Sequence, residues 1–135
     1  MGNLKVAKAH IRAENDRIIL DAAEAIFARH GFRGSTMQMI ADQAHLPKAN
    51  VHYYFASKKE LYRRVVEQIF GIWLQVANSF EQSDNPAEAL RRYIEQKMEI
   101  SRLRKNGSKV WANEVINGAP IIQDFLENQL TEWTD

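Results

Sequence analysis

The sequence predicts an all-α protein, and three observations carry that expectation. Apolar residues recur at i, i+3, i+4 and i+7, the spacing of one side of a helix, in several stretches from about residue 12 onward. Capping signals stand ahead of those stretches: Ser35 three residues before Gln38, Ser57 three before Glu60, and Asn85 with Pro86 and Glu88. Glycines at 31 and 118 follow the helices they would end.

Composition narrows function by exclusion. A chain of 135 residues with 45% hydrophobic content can bury one modest core, or two small ones sharing a long helix. No run approaches the roughly 18 uninterrupted apolar residues of a membrane span, and no charged start leads into an apolar signal segment, so a cytoplasmic protein with no membrane partner is expected. There is no Cys, which removes disulfides, thiol catalysis and cysteine-held metals. The four His, at 10, 30, 45 and 52, lack ligand spacing, and the glycines are too scattered for a phosphate loop, so no metal or cofactor is expected. Nor is catalysis: His30, Glu99 and Glu114 show no spacing that implies an acid–base or nucleophilic set. Charge is lopsided. Residues 1 to 64 hold 11 Lys or Arg against 6 Asp or Glu, and residues 65 to 135 hold 7 against 11. A basic amino-terminal half suits a phosphate-facing module joined to one that does not touch phosphate.

Residues 1 to 11 are polar and basic, with Lys5, Lys8 and His10, and read as a flexible arm. Such arms add phosphate or minor-groove contacts, or simply fray. A helix from about 12 to 30 would bury Ile19, Ala22, Ala23, Ile26 and Phe27 and keep Arg12, Glu14, Arg17, Asp21 and Glu24 outside. Gly31 ends it, with Phe32 folded back on the last turn. Arg33 and the backbone N–H groups beside Gly34 then lie where a phosphate can be held at the start of the next helix.

Residues 35 to 55 read as two short helices joined by a tight turn. In the first, Ser35 and Gln38 form a capping box, and Met37, Ile40, Ala41 and Ala44 face inward. His45 and Leu46 turn the chain, and Pro47 opens the second helix, where its missing N–H does no harm. Val51, Tyr54 and Phe55 pack inward, leaving Lys48, Ala49, Asn50, His52 and Tyr53 outside. Cation, amide, imidazole and phenol together differ from the Glu/Lys mixture of a solvated helix. They suit the major groove, where Asn50 has the amide geometry to pair with adenine. Two short helices and a turn also occur in helical proteins that never meet DNA, so a protein-interaction module is the rival reading of another class.

Ser57 and Glu60 start a long helix through Leu61, Val65, Ile69, Ile72, Trp73, Val76 and Phe80, with Gly71 inside it. Lys58 and Lys59 lie in its first turn, where a cation opposes the helix dipole. Residues 83 to 86 break the pattern. The next helix would bury Leu90, Tyr93, Ile94, Met98 and Ser101 and close over residues 102 to 107. A further helix spans about 108 to 117, carrying Val110, Trp111, Glu114 and Val115. The last opens at Pro120, with Ile121, Ile122, Phe125, Leu126, Leu130 and Trp133 apolar.

The runs GlyPheArgGlySerThrMetGlnMetIleAla, LeuProLysAlaAsnValHisTyrTyrPhe and SerLysLysGluLeuTyr resemble the DNA-binding domain of the TetR family of one-component bacterial repressors. GlnIlePheGlyIleTrpLeu, TyrIleGluGlnLysMetGluIleSerArg and AsnGlyAlaProIleIleGlnAspPhe resemble the carboxy-terminal region of one branch, the regulators of pyrimidine utilisation that sense uracil or thymine. The resemblance implies a transcriptional regulator, a ligand-responsive repressor. Residues 12 to 74 would form its three-helix DNA-binding domain, and residues 75 to 135 the start of a helical ligand-binding and dimerisation domain. Lys48, Ala49, Asn50, His52 and Tyr53 would reach base edges or adjacent phosphates of a double-stranded operator, with Arg33, Ser35, Thr36 and Lys58 positioning the domain on phosphates. Among the later helices a small-molecule effector would bind, uracil or thymine, or another metabolite or xenobiotic. There Trp73 could stack on a flat ring, although plain core packing explains a Trp at that position equally well. Members of this branch run on for several more helices, two of which build a homodimer. The chain therefore reads as a fragment that alone is monomeric or loosely associated. Pro47 stands in place of a capping Ser, and His52 where Tyr or Leu is common.

Overall fold

The computed structural model describes residues 2–81 and 85–134, with side chains described except at 77–81, 125 and 129–134. The described residues form seven helices and no strand: α1 (Gly2–Gly34), α2 (Met37–Ala44), α3 (Lys48–Tyr54), α4 (Lys58–Glu81), α5 (Pro86–Leu103), α6 (Lys105–Ile116) and α7 (Pro120–Thr134). None of them is long and apolar enough to cross a membrane. Packing divides the chain into two compact units, Met1–Val65 and Val66–Asp135, with the division inside α4. It falls nine residues before the boundary expected from the sequence, because the contacts of α4 change along its length while the helix itself continues.

In the first unit the expected apolar stripes are buried. Ile19, Ala23 and Phe27 of α1, Ile40 and Ala41 of α2, Val51 of α3, then Phe55, Leu61 and Val65 are each at most 2% exposed. Burying each of the larger of these side chains, Ile, Val, Leu or Phe, contributes roughly 1.5–3 kcal/mol. Aromatic rings extend the core: Tyr62 meets Phe27 edge-on with centroids 5.1 Å apart, and its ring centre is 5.0 Å from that of Phe32. Two expectations for α1 change. Glu24, expected outside, is 8% exposed, since the adjoining row of Leu20 and Glu24 is enclosed along with the predicted stripe. Residues 2–11, expected as a flexible arm, continue α1 with every side chain exposed. That leg has no buried face.

In the second unit Val76, Ala89, Val110 and Ile122 are buried, and Phe70 stacks on Trp111 at 6.0 Å between ring centres. Asn85 caps α5 as expected, its side chain accepting the N–H groups of Ala87 and Glu88. The inward face of α5 differs from the predicted one. Leu90, Ile94 and Met98 are 50%, 46% and 68% exposed, and the inward row is Ala89, Tyr93, Gln96 and Ile100. Successive residues of a helix lie about 100° apart, and apolar character could not choose between two neighbouring rows. Ser101 is likewise exposed.

The break between α5 and α6 is one residue, Arg104, at φ −120° and ψ 58°. Its N–H donates to the Ile100 carbonyl to close α5, and its carbonyl accepts from Ser108 N–H to open α6. Residues 105 to 107 therefore begin a helix and do not end one, and α6 turns Gly107, Val110 and Glu114 inward while Val115 is exposed. The side chains of Phe80, Phe125, Leu130 and Trp133, all expected as apolar lining, and the break at Ser83 and Asp84 lie outside what the structure describes.

Candidate nucleic-acid interface and effector pocket

The reading head is fixed from its ends inward. Gly31 takes φ 71°, a backbone region costly for a side chain, and so turns the chain after the body of α1. Ser35, expected to cap α2 and meet phosphate, is instead 1% exposed, with its hydroxyl against the carbonyls of Ile26 and Gly31. The cap lies one residue on: Thr36 Oγ1 accepts the Met39 N–H at 3.1 Å, while Gln38 bonds Asp42 and closes no capping box. Ser35 thus fastens the turn, and Thr36 is left exposed at the start of α2.

At the other end of α2 the chain reverses through His45 at φ 57°. His45 N–H donates to Asp42 and Leu46 N–H to Ala41, the paired bonds of a Schellman motif made without glycine. Pro47 has ψ 145°, so it is the residue before α3 and not its first helical member, and it supplies no side-chain cap. Its carbonyl accepts from Asn50 and Val51.

Val51 and Phe55 anchor α3 in the core, and Lys48, Ala49, Asn50, His52 and Tyr53 are all exposed. Tyr53 and Tyr54 separate in role. Tyr54 is half-buried, its hydroxyl accepting from Asn15 Nδ2 at 3.2 Å, whereas Tyr53 is 70% exposed. Arg12 Nη2 donates to the Tyr53 hydroxyl at 3.0 Å. Arg12 and Asn15 were missed in the sequence as partners of the reading helix. Their only signal is that they continue the row through Ile19 one and two turns earlier.

Ser57 caps α4 by accepting the Glu60 N–H, and the Glu60 carboxylate reaches back to Ala56 N–H. Lys58, half-buried, places its ammonium 4.4 Å from the Phe32 ring centre. That contact brings Lys58 to the corner where Arg33 is exposed, next to Phe32 in sequence. Arg33, Thr36, Lys58 and the α3 face are the surface positions left of the expected set, with Ser35 removed by burial.

In the second unit Trp73 is half-buried, with the Lys97 ammonium 5.7 Å from its ring centre and 5.8 Å from that of Tyr93. Trp73 also borders a small cavity beside the junction of α5 and α6.

A capped short helix, a tight reversal and an exposed second helix over a three-helix core define a helix-turn-helix domain. The profile described as "Bacterial regulatory proteins, tetR family" matches residues 19–65, and that described as "YcdC-like protein, C-terminal region" matches residues 66–135. The chain belongs to the TetR family. It is 37% identical over 119 residues to the HTH-type transcriptional regulator RutR of Escherichia coli K12, covering 88% of this chain and 56% of the relative. Over 96 residues it is 30% identical to the HTH-type transcriptional repressor NicS of Pseudomonas putida, covering 67% of this chain and 45% of that protein. A crystal structure of a TetR family transcription regulator from Marinobacter aquaeolei VT8 superposes with a TM-score of 0.74 over 91% of this chain and 66% of the other. At 22% identity it shows the shared fold. The chain spans about half the length of the curated relatives it matches.

Proposed function

We infer that the chain is the DNA-reading and amino-terminal effector-binding part of a transcriptional repressor. The observation that supports this best is the exposed face of α3, where Lys48, Asn50, His52 and Tyr53 stand outside while Val51 and Phe55 lock the helix beneath. In this reading α3 enters the major groove of a double-stranded operator, with Ala49 close enough to the groove floor to admit the longer side chains around it. Arg33, Thr36 and Lys58 meet phosphates. Residues 12 to 74 act as the reading module, and residues 75 to 135 begin the effector and homodimer domain. The effector is a small molecule that stacks on Trp73, in line with the resemblance to regulators sensing uracil or thymine. Because α4 carries both Lys58 and Trp73, occupancy at one can displace the other.

Selection from a random duplex library tests this directly. Enrichment of a defined half-site, lost in Lys48→Ala and Asn50→Ala, is expected. Affinity for the enriched duplex should fall with salt at a log–log slope of about −0.9 per neutralised phosphate. No enrichment, or binding flat in salt, would favour a protein-interaction module.

A further inference from the structure

The exposed leg of α1 carries Lys5, Lys8 and His10, and it precedes residue 19, where the match to the TetR-family profile begins. The backbone of α1 departs from helical angles at Gly31, far from the leg, so residues 2–11 continue the axis of the buried body. Two hydrogen bonds fix which side of α1 is turned toward the reading helix. Arg12 donates to the Tyr53 hydroxyl at 3.0 Å, and Asn15 donates to that of Tyr54 at 3.2 Å. At about 100° per residue, Lys8 points between the Arg12 and Asn15 directions, and Lys5 lies within about 20° of Arg12. Lys5, Lys8 and Arg12 are therefore one basic row, stepping about 4.5 and 6 Å along the axis. The carboxylates closest in sequence are engaged elsewhere: Glu14 and Asp21 pair with Arg17, and Asp16 with Arg64. No Asp or Glu precedes Glu14, so the leg holds nothing to offset the row. Its apolar side chains do not gather into a face, since Leu4 and Ile11 lie on one side and Val6 on the other, all more than half exposed. A membrane surface, which takes up a coherent apolar face beneath the cations, fits this pattern poorly.

We propose that Lys5 and Lys8 bind backbone phosphates of duplex DNA and extend the footprint of α3 along the duplex. A helix about 10–12 Å across does not enter a minor groove about 6 Å wide, so the leg stays outside the grooves and meets the strand itself. Each strand presents a phosphate about every 3.4 Å of the duplex axis, which gives every cation of the row one of its own. Such contacts strengthen and orient binding without reading bases. This rests on the DNA-reading function above, and the experiment separates the two.

Anisotropy titration of the 135-residue chain against its selected duplex is carried out over a range of salt. Lys5→Gln combined with Lys8→Gln keeps helix-favouring residues at exposed positions, so the melting midpoint should hold. Affinity at low salt is expected to fall about ten- to hundredfold, and the log–log salt slope to become shallower by about 1.8, two phosphates at about 0.9 each. Lys5→Arg with Lys8→Arg should bind like wild type, and selection with the Gln variant should return the same half-site. Lys105→Gln with Lys109→Gln removes the same charge from exposed positions of the second unit and should leave the slope as it was. Wild-type slope and affinity in the Lys5/Lys8 Gln variant, or an equal loss in the Lys105/Lys109 variant, overturn the proposal and leave the reading role of α3 in place. A changed half-site also overturns it, by giving the lysines base contacts. Co-sedimentation with phosphatidylserine vesicles that requires Lys5 and Lys8, beside unchanged DNA binding, assigns the leg to a membrane instead. A wild-type chain that selects no duplex rejects the DNA-reading function and this proposal together.

Discussion

Arg12 of α1 holds the Tyr53 hydroxyl of α3 through a 3.0 Å hydrogen bond, with its guanidinium 6.0 Å from the ring centre. Tyr53 has no burial to fix it, and a freely rotating phenol would lose side-chain entropy on meeting DNA. The Arg12 contact restricts it in advance and adds a cation to the same surface. Arg12→Ala is expected to leave the melting midpoint nearly unchanged and to weaken operator binding by about 1 kcal/mol, against about 1–3 kcal/mol for Tyr53→Ala. Anisotropy titration of both variants with the selected duplex checks this. Unchanged affinity in Arg12→Ala would reduce the contact to a surface accident.

Ser35 and Thr36 are adjacent hydroxyls with opposite environments. Ser35→Ala removes a buried donor from the carbonyls of Ile26 and Gly31 and should cost about 1–3 kcal/mol of stability. It should leave the salt slope of DNA binding as it was. Thr36→Ala removes the cap on Met39 N–H, costs about 0.5–2 kcal/mol, and should lower DNA affinity as well. Denaturant unfolding alongside DNA titration separates the two.

The sequence made the helices legible where one stripe is much more apolar than its neighbours, as with Ile19, Ala23 and Phe27, and where a cap is chemically unambiguous, as at Asn85. It was less legible where two candidates compete. Ser35 and Thr36 both carry a capping hydroxyl, and it is the Ser35 hydroxyl that is taken up by the carbonyls of Ile26 and Gly31 from the preceding turn. The rows of Ala89 and Leu90 on α5 both carry apolar residues, and which one turns inward depends on helices elsewhere in the chain. The reading face was visible because Val51 and Phe55 have no alternative but the core. Arg12 and Asn15 were not, since a partnership across about 40 positions leaves no local signature.

His45 sits at φ 57° where most such helix ends have glycine. A side chain in that region costs roughly 1–2 kcal/mol, partly offset because glycine frees the unfolded chain. His45→Gly should therefore raise stability by up to about 1 kcal/mol in thermal unfolding. It should not change DNA affinity, since His45 is outside the α3 face. A destabilised variant would mean that the imbalance between αL strain and chain entropy runs the other way here.

Glu114 is 2% exposed, yet a carboxylate buried without partners would be strongly unfavourable. Its Oε2 accepts the N–H groups of Ile121 and Ile122 at 2.9 and 3.2 Å, which are among the unpaired donors at the start of α7. The negative charge also lies at the positive end of the α7 dipole. One side chain of α6 therefore fixes where α7 begins, after the reversal at Gly118 and Ala119, both at positive φ. Glu114→Ala leaves both donors unmet and should destabilise the second unit by about 1.5–3 kcal/mol. Glu114→Gln keeps one acceptor oxygen but loses the charge, and should cost about half as much. Hydrogen exchange at Ile121 and Ile122 gives the local readout: protection should fall most in Glu114→Ala, partly in Glu114→Gln, and remain unchanged at Ile40 and Val51 in the first unit. Equal protection at Ile121 in all three proteins would show that α7 is positioned by its apolar face alone.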